Sequence, residues 1–145
     1  MDKIRIKRLR EGAQIPTYGT EFSAGADLYA CLEETITIAP GETAKIPTGL
    51  AMELPTGTAG LVFARSSLGT KKGLAPANKV GVIDSDYRGE VLVVLHNHSR
   101  ETRQIAPGER VAQLLIVPVF TPGFVEAQEL SDTHRGAGGF GSTGK

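Results

Sequence analysis

The fold class is indicated by the stretch Ile36-Thr37-Ile38-Ala39-Pro40-Gly41-Glu42-Thr43-Ala44-Lys45-Ile46. Its two leading isoleucines alternate with threonine, which is the period of two expected of a half-buried β-strand. The Pro-Gly pair that follows predicts a turn. Beyond the turn an alanine and an isoleucine again stand two positions apart, so a second strand is expected to return. A strand, a tight turn and another strand in one short stretch are typical of a β-rich domain.

Residues that favour turns recur along the whole chain, since 18 of its 145 residues are glycines and 8 are prolines. Such spacing suits short strands joined by turns. Ile4 and Ile6 alternate with charged residues, and three denser apolar runs predict strands buried on both faces, at 61–63, 91–95 and 111–119. Pro118 predicts an edge or a strand end. One short helix is expected near Ser66, with Ser66 or Ser67 as its N-cap. A mostly β single domain, a sandwich or jelly roll, is predicted.

Composition excludes several classes of function. Lys plus Arg and Asp plus Glu each total 16, and this neutral balance argues against nucleic-acid binding, which draws on clustered positive charge. Cys31 is the only cysteine and cannot form an intrachain disulfide, which favours reduced, intracellular surroundings. The N-terminus shows no signal-peptide pattern, and no stretch of about 18 apolar residues could span a bilayer. We therefore expect a cytoplasmic protein that binds neither nucleic acid nor membrane.

The end of the sequence has a different composition. Residues 135–144 contain five glycines and one aromatic residue, too little apolar surface to order themselves. The predicted division is a β domain at 1–130 and a flexible C-terminal arm at 131–145. A guanidinium, two hydroxyls and glycine N–H groups are the groups that hold phosphate, and an aromatic ring beside them can cover a base. The arm is either an idle end or a segment that closes over a ligand.

Four further segments carry groups suited to a phosphate ligand. Arg65-Ser66-Ser67-Leu68 follows an apolar strand and opens the short helix, an arrangement that favours phosphate binding but also suits an ordinary capped turn. Residues 81–89 predict a hairpin whose tip holds Asp84 and Asp86. A carboxylate at this place is either a general base or a residue that only stabilises the turn. Asn78 precedes this hairpin and adds an amide that both donates and accepts hydrogen bonds. Residues 24–28 and 108–113 supply another aspartate and a glutamine entering a strand.

Together and in this order, the five segments resemble the trimeric dUTP pyrophosphatase (dUTPase) family, with matches at 24–30, 65–68, 78–90, 107–114 and 135–144. The matches spread over most of the chain. Ala64 stands where the family often has proline, and Ala26 stands where a larger residue is common. The resemblance implies an all-β fold, a jelly roll or β-clip-like barrel. It also implies a homotrimer with shared active sites, and Mg²⁺-dependent hydrolysis of dUTP to dUMP and pyrophosphate by water attacking the α-phosphorus.

The resemblance also assigns the reacting groups. Asp84 would be the general base for the attacking water, and Gln113 would hold the α-phosphate and assist that water. Asp27 would reach Mg²⁺ through the hydration shell of the ion. The phosphate chain would be held by Arg65, Ser66 and Ser67. Such a site works by positioning and charge stabilisation, without a covalent nucleophile.

For the nucleoside, the family pattern implies that the uracil edge pairs with the Asn78 side chain and with main-chain groups at Gly81, Val82 and Ile83. Tyr87 would pack against the deoxyribose and exclude a 2′-hydroxyl. The arm would act as a lid. In it, Phe140 would stack on the base, and the γ-phosphate would meet Arg135, Ser142 and Thr143. Gly141 would also belong to the substrate-binding residues. By resemblance, the reaction keeps uracil out of DNA and supplies dUMP for thymidylate synthesis.

Two alternatives are open. The related dCTP deaminases share the fold, but they need an acid/base group at the pyrimidine C4, and no residue here fills that place. A nucleotide-binding protein without turnover would not need Asp84. His96 and His98 are interpreted as surface residues and not as metal ligands.

Overall fold

The computed structural model describes residues 3–141. Strands dominate it, and the one helical element is a single π-helical turn at Ser67–Lys72. In chain order the strands are β1 Arg5–Arg8, β2 Thr17–Tyr18, β3 Ala26–Tyr29, β4 Ile36–Ile38, β5 Thr43–Pro47, β6 Leu50–Glu53, β7 Thr58–Phe63, β8 Leu74–Pro76, β9 Gly81–Ile83, β10 Leu92–Asn97, β11 Arg103–Ile105 and β12 Arg110–Pro118. The mostly β prediction is confirmed.

The strands form four antiparallel sheets. The largest has the order β2-β3-β12-β7-β9, the second has the order β5-β10-β8, and two smaller sheets pair β1 with β6 and β11 with β4. Strands distant in the sequence are hydrogen-bonded neighbours, which is the connectivity of a jelly roll. Within residues 3–141 the sheets remain separate hydrogen-bonded units, so they do not close into one barrel.

The stretch at 36–46 forms the two expected strands, β4 and β5. Its turn is tight, since the Glu42 N–H donates to the carbonyl of Ala39 across 3.0 Å and Gly41 has a φ of 77°. The two strands do not pair with each other, however. β4 pairs with β11 and β5 pairs with β10, so the chain changes sheet at this turn.

The denser apolar runs are not buried on both faces, so that part of the prediction is wrong for a single chain. On β10, Val93 and Leu95 are buried whereas Leu92 is exposed. On β12, Leu114 is buried whereas Leu115 is only half-buried. The inward faces meet in one core whose largest fully buried apolar side chains are Leu28, Ile38, Ile46, Leu74, Leu95 and Ile105. An apolar outward face is therefore left on the largest sheet.

Pro118 is the last residue of β12, so the predicted strand end is confirmed. The alternative, an edge strand, is wrong, because β12 lies between β3 and β7. The described residues beyond it, 119–141, belong to no strand and are almost all exposed. Among the described residues, no helix has the length and apolar character needed to cross a bilayer.

The short helix lies where expected but is not capped as expected. Ser66 occupies the N-cap position in a helical conformation, and its side chain makes no capping hydrogen bond. The first turn is instead closed by main-chain bonds, because the N–H groups of Leu68 and Gly69 both donate to the carbonyl of Arg65. Ser66 and Ser67 are both exposed, so their hydroxyls are accessible to a ligand.

Candidate active site

A cleft opens where β9 and β10 separate. The predicted hairpin over residues 81–89 does not form, because β9 pairs with β7 in one sheet and β10 pairs with β5 and β8 in another. A turn is present between them, in which the Tyr87 N–H donates to the carbonyl of Asp84 across 3.1 Å. β9 is consequently an edge strand of the largest sheet among the described residues, and its outer edge has no strand partner.

This cleft has a volume of about 250 Å³. Six residues singled out from the sequence line it together: Asn78, Gly81, Val82, Ile83, Asp84 and Tyr87. The lining is completed by Val62, by Pro76 of β8, and by residues 90–94, which run into β10 and are apolar except for Glu90. Asp86 faces elsewhere, in a groove it shares with Lys3, Arg5 and Arg88. The structure therefore separates two aspartates that their position in the turn left equivalent, and the one in the cleft is Asp84, which the family resemblance assigned as the base.

The walls of the cleft suit a flat polar ring. An edge strand offers main-chain N–H and C=O groups at regular spacing, which is the pattern that a base edge can pair with. Asn78 is exposed beside it, held next to Lys79, a non-glycine residue with a φ of 69°. Val82 is 64% exposed and presents an apolar side chain at the same edge. A planar ring with hydrogen-bonding edges is the ligand that this arrangement favours.

A second group of predicted residues meets on the largest sheet. Gln113 on β12 stands opposite Asp27 on β3 and opposite Phe63 on β7. The Gln113 Nε2 donates to the carbonyl of Ala64 across 2.9 Å, immediately before Arg65. The Arg65 Nε donates to Oδ1 of Asp27 across 2.8 Å. Three segments of the sequence, at 24–30, 65–68 and 107–114, are thus joined by direct contacts.

Arg110 was missed by the sequence analysis. Its Nη1 donates to Oδ2 of Asp27 across 3.2 Å, so both oxygens of this buried carboxylate face a guanidinium. The register of β12 against β3 shifts between Arg110 and Ala112, and such a bulge re-aims a side chain. Simple alternation places Arg110 and Gln113 on opposite faces. The available clue was an arginine at the start of the same segment that carries the glutamine.

Positive charge and hydroxyl groups collect around Asp27. The Arg65 Nη1 donates to the Ser67 hydroxyl at 3.3 Å, and the Ser66 hydroxyl lies exposed beside it. Guanidinium N–H groups and hydroxyls are the donors that proteins use to hold phosphate oxygens. This half of the site can hold a phosphate chain.

The metal-binding capacity of the described residues is small. No group of three or more His, Cys, Asp or Glu side chains within residues 3–141 could hold an ion. His96 and His98 stack at 6.5 Å between ring centroids, and the His96 Nδ1 is hydrogen-bonded to the Thr43 hydroxyl. The carboxylates of the site are too few to hold a bare Mg²⁺ ion. They fit a Mg²⁺ ion that arrives bound to phosphates and keeps most of its water ligands.

One chain does not bring all the predicted groups together. The cleft is not lined by Asp27, Arg65 or Gln113. In the arm, the Arg135 Nε donates to the carbonyl of Gly138 across 2.8 Å, while Phe140 and Gly141 are fully exposed and do not line the cleft. The predicted residues Ser142 and Thr143 lie outside the described part of the chain.

Comparison with known proteins gives one consistent result. The dUTPase family model matches residues 11–144. A deoxyuridine 5′-triphosphate nucleotidohydrolase from Desulfitobacterium hafniense is 50% identical, with 99% of each chain covered. One from Hahella chejuensis is also 50% identical, covering 98% of this chain and 94% of the relative.

Solved structures agree. The dUTPase of Staphylococcus bacteriophage 80alpha with dUPNHPP has a TM-score of 0.91 at 29% identity and 100% coverage of both chains. A mutant dUTPase from phage phi11 of S. aureus has a TM-score of 0.82 at 27% identity, covers 90% of this chain and 100% of its own, and is described as revealing the coordination of a structural Mg(II) ion. With the family model matched over nearly its whole length, and with half of its residues identical to those of named relatives, this chain belongs to the dUTPase family.

Proposed function

We propose that this chain hydrolyses dUTP to dUMP and pyrophosphate by attack of water on the α-phosphorus. The observation that carries the proposal is the cleft at the open edge of β9, where Asp84, Asn78 and Tyr87 meet in a member of the dUTPase family. The cleft supplies a base-reading edge and a carboxylate within one small volume. The reaction needs both of these features.

Base selection is assigned to the edge of β9. Main-chain groups at Gly81, Val82 and Ile83 pair with the uracil edge, and the Asn78 amide completes the pairing. The walls contributed by Val62 and the opposite sheet support a tight fit that leaves no room for a 5-methyl group. Tyr87 stands at the cleft as the wall against the deoxyribose. Buried polar groups that are left without a hydrogen-bond partner by the wrong nucleotide discriminate more sharply than apolar contacts alone.

The base that activates the water is Asp84. Its side chain is exposed, and none of the ion pairs among the described residues includes it. An exposed carboxylate without a cationic partner is open to a water molecule, and such a contact is what a general base needs. Gln113 orients the α-phosphate, since its amide nitrogen is fixed on the Ala64 carbonyl.

Arg65, Ser66 and Ser67 hold the phosphate chain. Hydrolysis builds negative charge on the phosphate oxygens, and positioned guanidinium and hydroxyl donors stabilise it without reorganising. Mg²⁺ arriving with the triphosphate would supply further positive charge there. Asp27 would hold that ion through its water ligands, and Asp27 also fixes the guanidinium of Arg65.

The active enzyme is a homotrimer whose sites are shared between chains. Support comes from apolar surface that one chain leaves uncovered, including Leu61, Phe63 and Leu115 on the outward face of the largest sheet. Beyond β12 the exposed large apolar side chains of the described residues are Val119, Phe120, Phe124, Val125, Leu130 and Phe140. Exposed apolar side chains in this number favour an interface with another chain. Assembly would join the cleft of one chain to the phosphate-binding group of a neighbour.

The arm at 131–145 closes the shared site. Phe140 stacks on the uracil, and Arg135, Gly141, Ser142 and Thr143 meet the γ-phosphate. The full exposure of Phe140 in one chain supports a target on another chain or on the ligand. A cytoplasmic location, and a metabolic role in limiting uracil in DNA and supplying dUMP, belong to the same proposal.

The test is product analysis with dUTP, dCTP, dTTP and UTP in the presence of Mg²⁺. The proposal expects pyrophosphate from dUTP and little or none from the other three. Ammonia released from dCTP would instead place the chain with the deaminases. Tight dUTP binding without any product would identify a nucleotide-binding protein and would refute hydrolysis.

A further inference from the structure

The ring of Tyr87 lies against the main chain of Gly89. A Cβ atom placed on Gly89 would stand 2.6 Å from Cζ and 3.0 Å from Cε2 of that ring. Carbon atoms that are not bonded to each other do not approach so closely, because the favourable separation is about 3.5–4.0 Å. A glycine is therefore the only residue that leaves the ring in its observed place.

The backbone does not require a glycine at this position. Among the described residues, eight other glycines have a φ in the left-handed region, and Gly89 is not one of them. A left-handed φ therefore does not bar an alanine from this position. The obstructing atoms belong to the far end of a side chain that can rotate, so the cost of an alanine falls on the position of Tyr87 and not on the fold.

The other end of the ring is anchored. The Tyr87 hydroxyl donates to the carbonyl of Glu90 across 2.9 Å. The Glu90 carboxylate in turn accepts hydrogen bonds from the N–H of Gly49 at 2.9 Å and from the guanidinium of Arg10 at 2.8 and 3.1 Å. Gly49 is buried and joins β5 to β6, so the anchor connects the ring to the rigid part of the domain.

We propose that Gly89 is a positioning residue for nucleotide selection, because its missing side chain makes the space in which the ring of Tyr87 is held at the cleft. The inference rests on the proposed function, in which Tyr87 forms the wall against the sugar. With an alanine at 89 the ring moves off its seat and loses its bond to Glu90. The wall then no longer excludes a 2′-hydroxyl, and the preference for dUTP over UTP falls.

The experiment compares the ratio of kcat/KM for dUTP to kcat/KM for UTP in the full-length enzyme. Gly89→Ala should lower this ratio by about tenfold, toward the value of Tyr87→Ala, with little change in Tm. The matched control is Gly19→Ala, since a Cβ at Gly19 meets only the Ser23 hydroxyl oxygen at 3.7 Å. The control should keep the wild-type ratio.

A double-variant cycle separates positioning from general damage. If Gly89 acts through the ring alone, Gly89→Ala should change the ratio by less than about twofold in a Tyr87→Ala background. A substantial further loss in that background would contradict the proposal, as would an unchanged ratio in Gly89→Ala alone.

A spectroscopic readout tests the ring position without turnover. The chain has three tyrosines, so fluorotyrosine labelling gives three ¹⁹F resonances, and Tyr87→Phe identifies one of them. Gly89→Ala should shift the Tyr87 resonance and leave the other two in place; an unmoved resonance would overturn the inference. If Tyr87→Ala keeps the wild-type preference for dUTP, the role proposed for Tyr87 is wrong, and the selectivity role of Gly89 is rejected with it, even where dUTP hydrolysis itself is established.

Discussion

The Nε atom of Arg65 lies 2.8 Å from Oδ1 of Asp27, which joins two predicted site residues that are 38 positions apart in the sequence. The two side chains are 23% and 12% exposed, so solvent screens the pair less than it screens a surface ion pair. Arg110 contacts the other carboxylate oxygen. The contact fixes in one orientation the guanidinium that we propose binds the phosphate chain.

Replacing Asp27 by asparagine should weaken the hold on the triphosphate. The amide keeps the shape of the carboxylate but lacks its charge, so Arg65 is less well fixed. We expect KM for dUTP to rise about tenfold, and the Mg²⁺ concentration needed for half-maximal rate to rise with it. Steady-state kinetics over a Mg²⁺ series measures both. Glu34→Gln, an exposed carboxylate between β3 and β4, is the control, and an unchanged KM in Asp27→Asn would count against this role.

Gly25→Ala should damage both stability and turnover. A Cβ there would stand 2.6 Å from Oε1 of Gln113, 3.1 Å from its Cβ and 3.0 Å from Cδ1 of Leu115. Overpacking of this kind costs about 1–3 kcal/mol, and the glutamine would also be displaced from its place beside Ala64. Thermal unfolding and kcat for dUTP should therefore fall together. A variant with wild-type kcat would show that the position of Gln113 does not matter to the reaction.

Removing residues 135–145 should abolish turnover and spare the fold. The last strand ends at Pro118, and the described residues of the arm are mostly exposed, so the core loses nothing that it packs against. We expect kcat/KM for dUTP to fall by at least about a hundredfold, while Tm changes by less than about 2 °C. Loss of folding on truncation would contradict the description of the arm as a lid.

Asn97→Ala should destabilise the domain without a specific effect on catalysis. Its fully buried amide donates to the carbonyls of Ile38 and Glu101 at 2.8 Å, and its oxygen accepts hydrogen bonds from Ser99. Leaving these groups unpaired costs about 1–3 kcal/mol, measured by urea unfolding at fixed protein concentration. The control is Asn78→Ala in the cleft, which should raise KM for dUTP and leave the free energy of unfolding unchanged. A raised KM in Asn97→Ala together with a loss of stability in Asn78→Ala would refute the structural role of Asn97 and the binding role of Asn78.

How far the sequence predicts this structure depends on whether a feature is local. The alternation at 36–46 is local, and β4 and β5 form where it places them. The choice of partner strand is not local, which is why the predicted hairpin at 81–89 is absent. β9 and β10 each pair with strands that are distant in the sequence and not with each other. The cleft lies in the gap that this leaves between them.

Non-local geometry also limited the prediction of the site. Asp84 and Asp86 are two positions apart and chemically equal, and only the fold places one in the cleft and the other in a different groove. Arg110 was missed because a bulge in β12 turns its side chain to the face of the sheet that also carries Gln113. The alternation of apolar and polar residues in the sequence does not reveal such a bulge. By contrast, the glycine-bounded segment that lines the cleft stood out in the sequence by its two carboxylates and its tyrosine, and the family resemblance then gave it a role.

The central claim, that Asp84 is the base in a dUTP-hydrolysing site at the edge of β9, is tested most directly by comparing Asp84→Asn with Asp86→Asn. Both changes remove one exposed carboxylate from the same turn and keep its shape. Pyrophosphate release from dUTP with Mg²⁺ should fall by about a thousandfold in Asp84→Asn, with dUTP binding retained, and stay near the wild-type rate in Asp86→Asn. Equal rates in the two variants, or a larger loss in Asp86→Asn, would contradict the account.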